Sequence, residues 1–144
     1  MCTETGSKAK LLYILKILMT ETDEDHIITM EDIIKRLGDM GIRAERKSVY
    51  RDLKLLFDFG YDISLFEENH KGYYLRSREF ETVELKLLTD AVASARFISS
   101  KKTDLLLKKI KCLTSRHQAK LLDRSVYYDP LIKSSNEEVF LILK

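Results

Sequence analysis

Gly41, Ile42 and Arg43 separate two stretches of helical periodicity, and a link of three residues leaves the flanking helices little choice in how they meet. Before the link, Met30, Ile33, Ile34 and Leu37 recur at the spacing of one helix face. Thr29 stands where an N-cap belongs, and Glu31 and Asp32 follow in the first turn, where the helix dipole favours acids. The segment must end near Met40, because Gly41 suits a left-handed position just past a helix end. After the link the pattern predicts a helix from about Glu45 to Phe59, closed by Gly60. At about 100° per residue, Val49, Leu53, Leu56 and Phe57 form an apolar arc, beside an arc of Lys47, Tyr50, Arg51 and Lys54. Two helices joined by so tight a turn make a helix-turn-helix.

The flanks extend that unit. Ser7 is placed to cap an earlier helix running to about Met19, with Leu11, Ile14, Leu15 and Leu18 on one face. Residues 20–25 are polar and acidic and read as a solvated loop, and residues 26–28 suffice only for a short strand. After Gly60, residues 61–66 (YDISLF) and 73–76 read as two extended runs around the turn EENHKG. Helix, short strand, helix, turn, helix and hairpin is the order of a winged helix-turn-helix, assigned to residues 7–76. The fold class expected is therefore mainly α with a small β-hairpin wing.

Charge suggests what such a unit would touch. The net charge of the chain is only +2, so any nucleic-acid surface must be a local patch. Between residues 43 and 54, Arg43, Arg46, Lys47, Arg51 and Lys54 face only Glu45 and Asp52. Ser48 and Tyr50 add hydroxyls in the same turns. An apolar back with a basic front is what a helix entering the major groove of double-stranded DNA requires. The wing tip, Asn69, His70 and Lys71, is polar and basic enough to lie along a phosphate backbone or in a minor groove. A solvated basic face and an ordinary hairpin turn are the plainer readings of the same residues. Asp52 is expected to be structural, paired with a basic neighbour.

The runs GIRAERKSVYRDLKLLFDFGYDI, GYYL and FETVELKLLTDAVASARFISSKKTDLLLKKI resemble the N-terminal part of bacterial WYL-domain transcriptional regulators, whose winged helix-turn-helix is related to the DeoR type. The resemblance spans roughly residues 8–113. It implies sequence-directed DNA binding in gene regulation, as a homodimer, in the bacterial cytoplasm. It also implies a ligand-sensing C-terminal domain. The chain has no Trp-Tyr-Leu tripeptide and no tryptophan, and 144 residues leave no room for that domain, so an effector ligand is not carried over. A winged-helix protein–protein interaction module is the alternative, because the fold alone does not fix the partner.

Residues 77–124 read as a helical linker or dimerisation region. Thr82 is placed to cap a helix carrying Leu88, Ala91, Val92, Ala95 and Ile98, interrupted at Ser99 and Ser100. Leu106, Ile110 and Leu113 mark a second helix, and Ser115 starts a third through Ala119 and Leu122. Eight Lys or Arg against two Asp over residues 101–124 read as a solvated face in preference to a second DNA-facing surface. Short helices that cannot cover one another's apolar faces favour dimerisation.

Residues 126–129 read as extended, with a break at Pro130. Residues 136–144 begin like a helix and stop after two turns, as in a fragment of a longer regulator; a natively short chain with a strand-forming or partner-binding VFLIL tail is the alternative.

No catalytic constellation, and so no enzyme, is expected. His26, His70 and His117 lack ligand spacing to one another or to Cys2 and Cys112, glycines are scattered, and the acids of TETDED lack the central glycine of a calcium loop. No metal and no cofactor is therefore anticipated. Two cysteines suit a reducing compartment, and no stretch approaches membrane-spanning length.

Overall fold

In the computed structural model, which describes residues 4–133, the apolar stripes of the first three helices close on one another. These are α1 (Glu4–Glu21), α2 (Met30–Asp39) and α3 (Arg46–Phe59). Ile14, Ile17 and Leu18 of α1, Ile33 and Leu37 of α2, and Val49 and Leu53 of α3 are all fully buried. Burying one such side chain stabilises the fold by roughly 1.5–3 kcal/mol over leaving it exposed. Phe57, expected on the same arc, is instead exposed: at the last turn of α3 the arc has rotated away from the core.

Local signals set the helix ends. The Thr29 hydroxyl accepts from the Asp32 N–H and starts α2; Gly41 (φ 77°) and Gly60 (φ 117°) take left-handed conformations after α2 and α3. The Ile42 N–H returns to the Leu37 carbonyl at 2.8 Å, tightening the link. α1 departs from expectation at both ends. It begins at Glu4, so Ser7 lies inside the helix and not at its start. It runs to Glu21, and the Thr20 and Thr22 hydroxyls donate to the Lys16 and Leu18 carbonyls there.

A two-stranded antiparallel sheet follows, β1 (Ile63–Ser64) and β2 (Tyr74–Leu75), in the register Ile63 to Leu75. Ile28 bridges Tyr73, which adds the short segment before α2 to the sheet's edge. The Thr22 hydroxyl also accepts the Leu75 N–H at 3.0 Å, tying the end of α1 to β2. The acidic loop is therefore only partly solvated: Thr22 and Asp23 are buried, with Asp23 Oδ1 2.6 Å from His26 Nδ1.

The chain divides into two compact units at Ser77/Arg78. In the second, α5 (Thr82–Ser94), α6 (Ser100–Lys111) and α7 (Arg116–Ser125) pack together. The first is capped by Glu81, not by Thr82, which is its first helical residue: the Glu84 carboxylate accepts the Glu81 N–H at 2.9 Å in a capping box. α5 ends at Ser94, short of Ile98, which is buried just before the Ser99 cap of α6. Ser115 caps α7 through the Gln118 N–H. On α6 the fully enclosed residues are Thr103 and Leu107, while Leu113 is exposed. Among the described residues, half of this unit's buried side chains carry hydroxyls: Thr89, Ser99, Thr103, Thr114 and Ser115 are buried beside Leu85, Ala93, Ile98, Leu107 and Leu122. Val83, Leu87 and Leu121 remain more than half exposed.

Residues 126–129 are extended and Pro130–Ile132 form a 3-10 turn. The expectations for residues 134–144 lie outside the described residues. The described chain is thus mainly helical with one small antiparallel sheet.

Candidate nucleic-acid interface

α3 divides cleanly between a buried back and an exposed front. Arg46, Lys47, Arg51 and Lys54 are exposed, and Val49, Leu53 and Leu56 face the core. Arg43 is exposed in the link before the helix. The N-cap residue Glu45 makes no side-chain cap bond, so the first turn of α3 offers its basic side chains without an acid folded over them from its own cap. Arg51 Nε donates back to the Lys47 carbonyl at 3.4 Å.

Ser48 and Tyr50 of the expected set are each engaged by a side chain from another element. Ser48 accepts a hydrogen bond from the Lys10 ammonium, which also lies 3.0 Å from Asp52 Oδ2. Lys10 is 7% exposed, so α1 and α3 are joined by an ion pair at the edge of the core. Asp52 is structural, as its place inside α3 implied, but its partner comes from α1. Tyr50 is half-buried, and its hydroxyl donates to Glu67 Oε1 at 2.9 Å.

The run EENHKG, expected as a plain turn, contains the one-turn helix α4 (Phe66–Asn69), with His70 in the left-handed region (φ 54°) after it. Asn69 explains the shape. Its amide nitrogen donates to Ser64 Oγ and to the Leu65 and Gly72 carbonyls, and its oxygen accepts the Lys71 and Gly72 N–H groups. The side chain is thus spent on fixing the tip, whereas His70 and Lys71 are exposed. At the base of the hairpin, Arg76 pairs with Glu68 and with Asp62, the latter at 3.1 Å. Its pKa is raised, first by the Glu68 hydrogen bond.

Between α3 and α4 lies a cleft of about 640 Å³. Met30, Tyr73 and Phe66 supply apolar walls, and Arg46, Lys47, Tyr50, Arg51 and Glu67 the polar ones. Arg46 Nη1 lies 2.9 Å from Glu31 Oε1, an ion pair with both side chains 71% exposed. The Glu67 carboxyl is held below its usual range, first by its own backbone N–H, then by Tyr50, with help from the charge of Lys54. The same contact raises the Tyr50 hydroxyl. Tyr73 is raised chiefly by burial, with Glu67, Tyr50, Arg46 and Glu31 all close enough to act on it.

Sequence reasoning missed Lys10, Glu31 and Glu67. Lys10 was signalled by its spacing, one helical turn before Ile14 and two before Ile17 on the buried face of α1. Nothing local marks Glu67, because its meeting with Tyr50 spans seventeen residues of chain.

Among the described residues, no group of three or more His, Cys, Asp or Glu is arranged to hold a metal ion, and no helix is long and apolar enough to cross a membrane. No protein-family model, curated protein or solved structure matches the chain.

Proposed function

We propose that the chain is a sequence-directed DNA-binding transcriptional regulator, or the DNA-binding portion of one, whose first unit is a winged helix-turn-helix. The single observation carrying this reading is α3 itself, with four exposed cations on a helix whose opposite side is sealed into the core. In this reading α3 enters the major groove of double-stranded DNA. Arg46, Lys47 and Ser48 reach bases or phosphates from the first turn, Tyr50 and Arg51 from the next, and Arg43 and Lys54 grip the backbone. Each good bidentate base contact is worth about 1–3 kcal/mol of discrimination. His70 and Lys71 supply the wing's contact, with Asn69 shaping it. Membership of the WYL-type regulators, a cytoplasmic location and a homodimer complete the reading. The exposed Val83, Leu87 and Leu121 support the dimer, which would read half-sites roughly one helical turn apart.

The interaction-module alternative draws on a different part of the same helix. Leu55, Phe57 and Phe59 are exposed toward its C-terminal end, Phe59 at 80%. Fluorescence anisotropy of a labelled random-sequence duplex, titrated at several salt concentrations, separates the two. The expected result is binding that weakens with salt and is largely lost in Arg46→Ala/Arg51→Ala, with the logarithmic slope reduced by roughly 0.9 for each phosphate contact removed. Absence of binding at low salt by the folded chain would refute DNA recognition and leave the interaction module.

A further inference from the structure

We infer that Glu31 and Glu67 are specificity-determining residues of the proposed DNA-binding face, weakening its sequence-independent hold on phosphate. The inference rests on that reading. Two carboxylates from separate elements, α2 and α4, engage two residues of α3 that lie one turn apart, Arg46 and Tyr50, each at 2.9 Å. Arg46, Tyr50 and Glu67 line the same cleft beside Tyr73, and Glu31 reaches it through Arg46.

A duplex approaching α3 meets Arg46 and Tyr50 already bonded to anions. Either these side chains leave their acids, or the acids are carried to the DNA surface with them. Beside a phosphate a carboxylate is repelled, whatever the base sequence. Beside a base edge it is an acceptor, and in the major groove its natural donor is the amino group of cytosine. The same two charges therefore oppose contacts made through the backbone and permit those made at a base pair presenting a donor. A face built only of cations would bind any duplex; this one is tempered by acids that touch its own reading residues.

The test compares the 144-residue chain with Glu31→Gln, Glu67→Gln and the double variant. Glutamine keeps an oxygen to accept from Tyr50 or Arg46 and removes only the charge, so circular dichroism should be unchanged. Each is titrated by anisotropy against a random-sequence duplex and against a duplex selected by the wild-type chain from a randomised library. Each single variant should bind the random duplex about three-fold more tightly, the effect of removing one unit charge some 6 Å from a phosphate in water. Affinity for the selected duplex should hold or fall, so the ratio of the two shrinks, most in the double variant. An unchanged ratio in folded variants would overturn the inference while leaving DNA binding intact. A wild-type chain that binds neither duplex overturns the DNA-binding reading itself, before any variant is measured.

Discussion

Replacing Lys10 with methionine removes the cation that joins α1 to α3. The ammonium faces Asp52 Oδ2 at 3.0 Å, with the side chains 8% and 16% exposed. At an effective dielectric of about 20, unit charges at that distance attract by about 5 kcal/mol. Desolvating the two ions offsets most of this, so the intact pair contributes little compared with two well-packed apolar side chains. The single variant is different, because Asp52 keeps its charge and loses its partner. Uncompensated charges in full burial cost about 3–5 kcal/mol. With Asp52 retaining some access to water, we expect about 2–3 kcal/mol for Lys10→Met. The double variant Lys10→Met/Asp52→Leu should recover to within about 1 kcal/mol of wild type. Urea unfolding of the full chain, followed by far-ultraviolet circular dichroism, measures all four corners of the cycle. Strict additivity of the two single substitutions would refute the reasoning, as would a Lys10→Met variant no less stable than wild type.

Gly72→Ala would place a Cβ against the Ile28 carbonyl oxygen and the Ile27 side chain, where backbone passes backbone beside the Ile28–Tyr73 bridge. We expect a loss of about 2 kcal/mol or more in thermal or urea melts, and an alanine variant of unchanged stability would contradict that close approach. Tyr128 donates to Asp104 Oδ1 at 2.6 Å, which pushes its pKa up to about 12. The folded-state pKa lies above the unfolded value near 10, so the bond's stabilisation is complete below about pH 10 and disappears as pH rises toward 12. Tyr128→Phe should cost about 1 kcal/mol at neutral pH, allowing for solvent screening, and progressively less above pH 10; a constant difference across that range would exclude the Asp104 bond as its cause.

How far these features could be read in advance depended on the length of chain that encodes them. α2, the link and α3 were legible because their apolar spacing, the Thr29 cap and the glycines at 41 and 60 all lie within their own turns. The exposed cations of the candidate site followed from the same periodicity. The pairing of Lys10 was not legible because its partner in α3 is forty-two residues away. The burial of Thr22 rests on a bond to the Leu75 N–H, equally invisible in an acidic, polar stretch. EENHKG showed only turn-forming composition, and the one-turn helix α4 that begins just before it at Phe66 was not legible there. That Asn69 would face inward, leaving His70 and Lys71 exposed, depends on the Ser64 hydroxyl and the Gly72 backbone meeting there. α5 failed in the opposite way: Ile98 keeps its helical spacing by coincidence, being buried from the bend that follows the helix.

The hydroxyl-rich interior of the second unit bears on how the chain breathes. With five of its ten buried side chains among the described residues ending in Ser or Thr, it removes little apolar surface from water for the backbone it orders. Segments of that kind open below the free energy of global unfolding. In deuterium, amides of α5, α6 and α7 would exchange through excursions in which α1, α2 and α3 stay closed around Ile14, Ile33 and Leu53. The slowest-exchanging amides would then trace the core beneath α3, so its basic residues would keep their spacing while α5, α6 and α7 open and reclose.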